Sequence, residues 1–245
     1  FKGIKEGIEN TNYFLQTSKG KFILTIYEKR TNKKDLPFFM KLMDNLNKNN
    51  FKCPKPIKNL DGKHISILKK KPAAIVSFLN GSSKNNLSPD NCYQVGMQVA
   101  KFHSITKKIS IKRDNSLSLN SWEELFKKVE IESRKIGKNL PIKIKNSLIE
   151  IKKNWPKNLP KGIIHADLFS DNIFFKNNDF SGFIDFYFSC NDFYAFEIAI
   201  CLNALCFDNK NNKFLMNKKK VKNLIKGYQS VKTISQREKN ALNIL

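Results

Sequence analysis

One stretch constrains the fold more than any other: residues 162–192, which read GIIHADLFSDNIFFKNNDFSGFIDFYFSCND. Within it, 173–175 is a short β-rich run, 176–179 a turn, and 180–186 a returning run. In an antiparallel hairpin the start of the first strand lies beside the end of the second, about 5 Å away across the ladder. Asn172 and Asp185 are therefore expected at one end of the hairpin, with Asp167 of the preceding loop close by. Three oxygen-bearing side chains at a mouth where a loop leaves room for a ligand suit Mg2+ carrying substrate phosphates. The alternative is an acidic hairpin in which Asp167 and Asp171 serve only as turn residues. The joint pattern of His165, Asp167, Asn172 and Asp185 weighs against it.

The chain changes character near residue 80. Upstream, 13–17 and 21–28 are β-rich runs around Ser18-Lys19-Gly20, a hairpin signal. Asp35 before Leu36-Pro37 reads as the capping acid of a helix over 36–48, with Phe39, Leu42, Met43 and Leu46 at helical spacing and Pro54 and Pro56 ending it. Strands are expected at 64–68 and 73–79, joined by a lysine-rich turn at 69–72. Asn80-Gly81-Ser82-Ser83 is the best linker candidate. Beyond it, Ser88-Pro89 opens a helix with Cys92, Val95, Val99 and Phe102 on one face and His103 at its polar edge in a structural role. Ser121-Trp122-Glu123-Glu124 reads as the capping box of another helix. Further helices are expected over 141–155, 193–206 and from 236 onward. The fold class expected is α+β, a small antiparallel sheet lobe over 1–80 and a larger, mainly helical lobe over 81–245.

A net charge of +24 raises nucleic acid or an anionic membrane as partners. The arginines are only Arg30, Arg113, Arg134 and Arg237, and the remaining positive charge is lysine scattered among Asn and Ile. Arginine supplies the bidentate forks that phosphate and guanine recognition favour. A solvated basic face is therefore expected, with no specific nucleic acid. No stretch approaches the roughly 18 apolar residues of a membrane span, and residues 1–6 lack the apolar run of a signal peptide. Cys53, Cys92, Cys190, Cys201 and Cys206 are odd in number and show no C-x-x-C spacing, which points to a reducing cytoplasm and no zinc site. A start on Phe1 and a stop at Leu245 within a helical pattern suggest a piece of a longer chain.

The spacing His-x-Asp-x-x-x-x-Asn followed by Ile-Asp resembles the catalytic loop and metal-binding aspartate of protein-kinase-like enzymes. Phe186-Tyr187 after Asp185, Ala166 in place of Arg, and the lack of an Ala-Pro-Glu signature make it more similar to the aminoglycoside phosphotransferase and choline kinase superfamily. Within that group, Gly3-x-x-x-Gly7-Ile-Glu-Asn10-Thr-Asn12, LTIYEKR at 24–30, PAAIVSFL at 72–79, IDFYFSCND at 184–192, ICLNALCF at 200–207 and GYQSV at 227–231 resemble the bacterial homoserine kinases.

The resemblance implies a protein-kinase-like two-lobe fold with ATP and Mg2+ in the cleft and L-homoserine as the phosphoryl acceptor. It implies Asp167 as base or orienting group, His165 as support for that loop, and Asn172 and Asp185 as metal ligands. Gly7 and Asn10 of the glycine turn and the backbone of Ser77, Phe78 and Leu79 become nucleotide contacts. Asp192 and Glu197 become candidates either for contacting the substrate amine or for second-layer support. Where the superfamily often carries a phosphate-pairing Lys or Arg, this chain has Thr25, which leaves Lys5, Lys21 or the glycine-turn amides as candidates for that charge. The rivals are another amino-alcohol kinase, a basic nucleic-acid-binding protein and a non-catalytic kinase-like scaffold.

Overall fold

The computed structural model describes residues 1–4, 10–28, 31–211 and 213–245. Its first lobe is an antiparallel sheet in the order β1 (Lys2–Ile4), β2 (Thr11–Thr17), β3 (Gly20–Ile26), β6 (Lys71–Ser77), β4 (Pro56–Ile57), with β5 (Ile65–Leu68) also paired to β6. The β2–β3 hairpin forms where expected, with Thr17 opposite Gly20. Gly20 has φ of +124°, a conformation that side chains rarely adopt. Lys69 and Lys70 turn β5 into β6 with φ of +46° and +66°, the left-handed pair whose twist matches the flanking strands.

Helix α1 (Leu36–Lys48) buries Leu36, Phe39, Met40, Leu42, Met43 and Leu46. Asp35 does not cap it. A short helical turn over Lys33–Asp35 precedes α1, so Asp35 is already helical and makes no side-chain cap bond. Its carboxylate instead accepts from Arg113 Nε at 2.7 Å.

The second lobe holds α2 (Pro89–Thr106), α3 (Leu119–Ile136), α4 (Leu140–Asn154), α5 (Tyr194–Leu205), α6 (Lys218–Gln229) and α7 (Gln236–Ala241). Among the described residues, three two-stranded ribbons interrupt them: β7 (Lys161–Ile164) with β10 (Cys190–Phe193), β8 (Ile173–Lys176) with β9 (Asp179–Phe183), and β11 (Phe207–Lys210) with β12 (Lys213–Met216). Ser88 and Asn91 form a reciprocal cap on α2. The cap expected at Ser121 is displaced: α3 starts at Leu119 after Ser118, and the Ser121 hydroxyl donates back to the Ser118 carbonyl at 2.7 Å. β9 stops at Phe183, short of 186, because Asp185 turns left-handed. Strands β7 and β10 are too short to show a period, and α6 lies under a lysine-rich sequence that masks its apolar stripe.

One apolar cluster runs from α1 through α2 to β8, β9 and α6. Helices α2 and α6 meet backbone to backbone. A Cβ on Gly96 would stand 2.0 Å from the Leu224 carbonyl oxygen, and one on Gly227 2.0 Å from that of Tyr93. That approach brings Tyr228 beside His103. The segment expected as a linker is docked, since Ser82 and Phe175 exchange backbone hydrogen bonds of 3.0 and 2.9 Å. Lys52 ties the end of α1 to β9 through its Nζ on the Phe180 carbonyl at 3.0 Å and its own carbonyl on the Phe183 N–H at 3.2 Å.

Candidate active site

The β8–β9 register sets Ile173 opposite Phe183, and the Ile184 N–H donates to the Asn172 carbonyl at 3.0 Å just beyond it. Asn172 Nδ2 donates to both the backbone carbonyl and Oδ2 of Asp167, each at 2.8 Å. Asp185 follows Ile184 as an exposed residue at φ 60°, ψ 64°, a left-handed geometry that Asp tolerates better than most residues. Asp167 and Asn172 are thus in contact, and Asp185 sits two residues beyond the end of β9 and next to Ile184, whose N–H is bonded to Asn172.

His165 is fully buried, with its ring against Phe186 at 4.7 Å. Its Nε2 lies 2.9 Å from the Ile184 carbonyl. A carbonyl only accepts, so Nε2 carries the proton and donates. Burial holds its pKa below the ordinary value, which keeps the imidazole neutral. The ring therefore fastens the Asp167 loop to the strand that leads to Asp185. Fully enclosed, it offers no exposed atom at the hairpin mouth.

Glu197 is also fully buried, and this corrects the idea that it reaches a substrate amine. Its carboxylate accepts from the Ala166 N–H at 3.0 Å and from the His165 N–H. Ala166 stands at φ +65°, so the carboxylate braces the one residue of the loop with a disfavoured backbone. Behind it, His103 Nε2 lies 3.8 Å from Glu197 Oε2, and His103 Nδ1 lies 2.9 Å from the Tyr228 hydroxyl. His103 is not at a polar edge, because α6 covers that face. Burial lowers its pKa, with Glu197 opposing. Asp192 stands opposite Gly162, at the far end of β7 from the His165 loop, and accepts from Asn115 Nδ2 at 2.7 Å and from the Phe193 N–H at 2.8 Å.

On the sheet side, Thr25 is 3% exposed and donates through Oγ1 to Asn12 Oδ1 at 2.8 Å. The Tyr27 and Tyr187 hydroxyls meet at 2.9 Å. Uncharged hydroxyl and amide groups thus stand around Thr25 in place of a cation. Asn10 accepts from the Glu28 N–H at 3.2 Å and from Thr31 Oγ1 at 3.3 Å, joining chain segments around β3. The N–H groups of Ser77 and Phe78 are committed to the carbonyls of Lys55 and Lys21, at 2.8 and 3.0 Å, so these two do not offer their amides to adenine. Gly7 and Lys5 lie outside the described residues.

Residues 1–217 match the phosphotransferase enzyme family. The chain belongs to that family. Among this phosphotransferase's relatives, the homoserine kinase of Rhizobium meliloti (strain 1021) is 43% identical over 245 residues, spanning all of this chain and 74% of that protein. Among solved structures, an amicoumacin kinase in complex with AMP-PNP, Ca2+ and Ami superposes with a TM-score of 0.70 at 14% identity, covering 97% of this chain and 76% of that one. The choline kinase of Cryptosporidium parvum Iowa II gives 0.67 at 18% identity, covering 99% and 77%. At such identities the likeness shows the fold, which is the protein-kinase-like two-lobe α+β architecture. As a phosphotransferase of this fold, the protein is an ATP-dependent enzyme acting on a hydroxyl group of a small molecule.

Proposed function

We propose that this enzyme transfers the γ-phosphoryl group of ATP to the hydroxyl of L-homoserine, giving O-phospho-L-homoserine on the way to threonine. One observation carries the choice of acceptor: a homoserine kinase aligns with every residue of the chain at 43% identity. The chemistry is carried by the residues at the hairpin mouth. Asp167, half-buried and held by Asn172, is the group that accepts a hydrogen bond from the acceptor hydroxyl, aims its oxygen at the terminal phosphorus and takes its proton. Lobes over 1–80 and 81–245 enclose the nucleotide, with adenine against Leu79 and the carbonyls at the end of β6.

Asn172 and Asp185 are the residues that would hold Mg2+. Asn172 commits its amide nitrogen to Asp167, and among the described residues no donor hydrogen-bonds its side-chain Oδ1, a hard oxygen of the kind Mg2+ prefers. Among the described residues no three His, Cys, Asp or Glu side chains form a metal cage of their own. That fits an ion that keeps phosphate oxygens and waters in its shell. Bound there, it would offset phosphate charge. The five cysteines are free and buried, in keeping with a reducing cytoplasm.

The test is ADP production by the complete protein with homoserine, choline and kanamycin as acceptors. Asp167→Asn is expected to lower kcat at least about 10²-fold while leaving the fold intact. Faster turnover of choline or kanamycin than of homoserine would remove the assigned acceptor.

A further inference from the structure

We propose that Arg113 is a positioning residue for the magnesium side of the site, capping the turn that follows Asp185 and fastening it to α1. Arg113 lies between α2 and α3, and nothing in the reaction chemistry calls for it. Its side chain is nevertheless only 13% exposed, and both Nε and Nη1 are engaged. Nε donates to Asp35 Oδ2 at 2.7 Å, while Nη1 donates to the carbonyls of Phe188 and Ser189 at 3.3 and 3.1 Å. The guanidinium lies over the Phe39 ring, 5.1 Å from its centre. The backbone is pinned as well, with its N–H on Asn191 Oδ1 at 2.9 Å and its carbonyl accepting from the Asn191 N–H at 2.7 Å.

The physical need lies in the turn over Phe186–Phe188, which Asp185 opens as its N-cap residue. A helical turn this short leaves its last carbonyls without partners inside the turn, and burying such groups unsatisfied is costly. A planar guanidinium can meet these carbonyls with one edge and a carboxylate with another, which a lysine ammonium cannot reproduce. Phe39 also packs on Tyr187, with ring centres 5.5 Å apart. Asp35 and Phe39 from the sheet lobe, Arg113, and the turn behind Asp185 therefore form one block. Helix α1 contains no Glu to pair with a cation on β3, and Thr25 stands at the β3 position where such a cation was expected. Its acidic partner sits at its N-terminal end and points to the other lobe.

This inference rests on Asp185 serving the metal, so the test measures ATP binding by calorimetry with and without Mg2+ on the complete protein. Against wild type, Arg113→Met is expected to lose about 10–100-fold in Mg·ATP affinity, the usual cost of removing a group that orients a metal ligand. Magnesium-free ATP affinity and the KM for the acceptor should stay at wild-type values. Arg113→Lys, which keeps the charge without the fork, should resemble Arg113→Met. Asp35→Asn, a milder change that still reads the clamp if Arg113 variants fail to fold, should weaken Mg·ATP binding in the same direction. Unchanged Mg·ATP affinity in the folded variants overturns the inference, whether the loss appears in thermal stability alone or in the acceptor KM. A wild-type protein that binds ATP without any magnesium dependence would bring down the phosphotransfer reading of the site, and this inference with it.

Discussion

The hydroxyl of Tyr27, just past β3, and the hydroxyl of Tyr187, just past Asp185, meet at 2.9 Å across the two lobes. Their rings stand edge to face with centres 5.2 Å apart. Burial pushes the Tyr187 hydroxyl up to about 12 and that of Tyr27 further, so both stay neutral at physiological pH. The bond is neutral on both sides, and its net contribution is about 1 kcal/mol. Tyr27→Phe and Tyr187→Phe should each lower unfolding free energy by about 1–2 kcal/mol, and a double-mutant cycle in urea should return a coupling of about 1 kcal/mol. Strictly additive losses would mean that the two hydroxyls do not depend on each other.

Glu197 is expected to matter through the loop it holds. In Glu197→Gln one oxygen becomes an NH2 group facing a backbone N–H, so either His165 or Ala166 loses its acceptor. An abandoned buried donor costs about 1–3 kcal/mol. Chemical denaturation should show that loss. Steady-state kinetics should show a lower kcat with acceptor KM little changed, since the carboxylate is out of reach of any substrate.

The contact of α2 with α6 depends on the absence of a side chain. Gly96→Ala or Gly227→Ala would drive a methyl group to 2.0 Å from a backbone carbonyl oxygen, a clash that no rotamer relieves. The helices must separate, at a cost toward or beyond the upper end of the roughly 1–3 kcal/mol typical of overpacking. Both variants should unfold at clearly lower temperature than Gly62→Ala, where an added Cβ meets nothing within 4 Å although φ is +75°.

Stability should fall on the acid side. Burial lowers the pKa of both His103 and His165 from the ordinary 6.5. Between the depressed folded values and 6.5 the unfolded chain binds more protons, so unfolding free energy rises with pH in that window. It is lost as pH drops below about 6.5. Around His103, Glu197 and Glu238 oppose the shift and Lys232 adds to it. Urea midpoints at pH 7.5, 6.5 and 5.5 should decline in wild type and decline less in His103→Gln. An equally steep decline in that variant would assign the acid sensitivity to other groups.

Much of the candidate site's geometry was legible because it is local. His165, Asp167, Asn172 and Asp185 lie in one loop and one hairpin, where a two-residue period and a short turn dictate which residues end up adjacent. Helix α1, α2 and the β2–β3 hairpin were readable for the same reason, since cap, period and turn chemistry all act within a few residues. Where a local signal misled, as at Asp35 and Ser121, a neighbouring turn or an earlier start of the helix moved the cap to another residue.

Local chain chemistry was enough to set the hairpin that presents Asn172 and Asp185, the acid ahead of it, and the change from sheet to helices. What stands behind them was set by packing between distant parts of the chain. Glu197 meets Ala166 across a separation of 31 residues, Arg113 meets Asp35 across 78, His103 meets Tyr228 across 125, and Tyr27 meets Tyr187 across 160. A periodic pattern states that a face is covered and does not state by what. Partners that far apart along the chain are chosen by how whole elements pack, and at α2 and α6 that choice turns on two glycines that let the backbones touch.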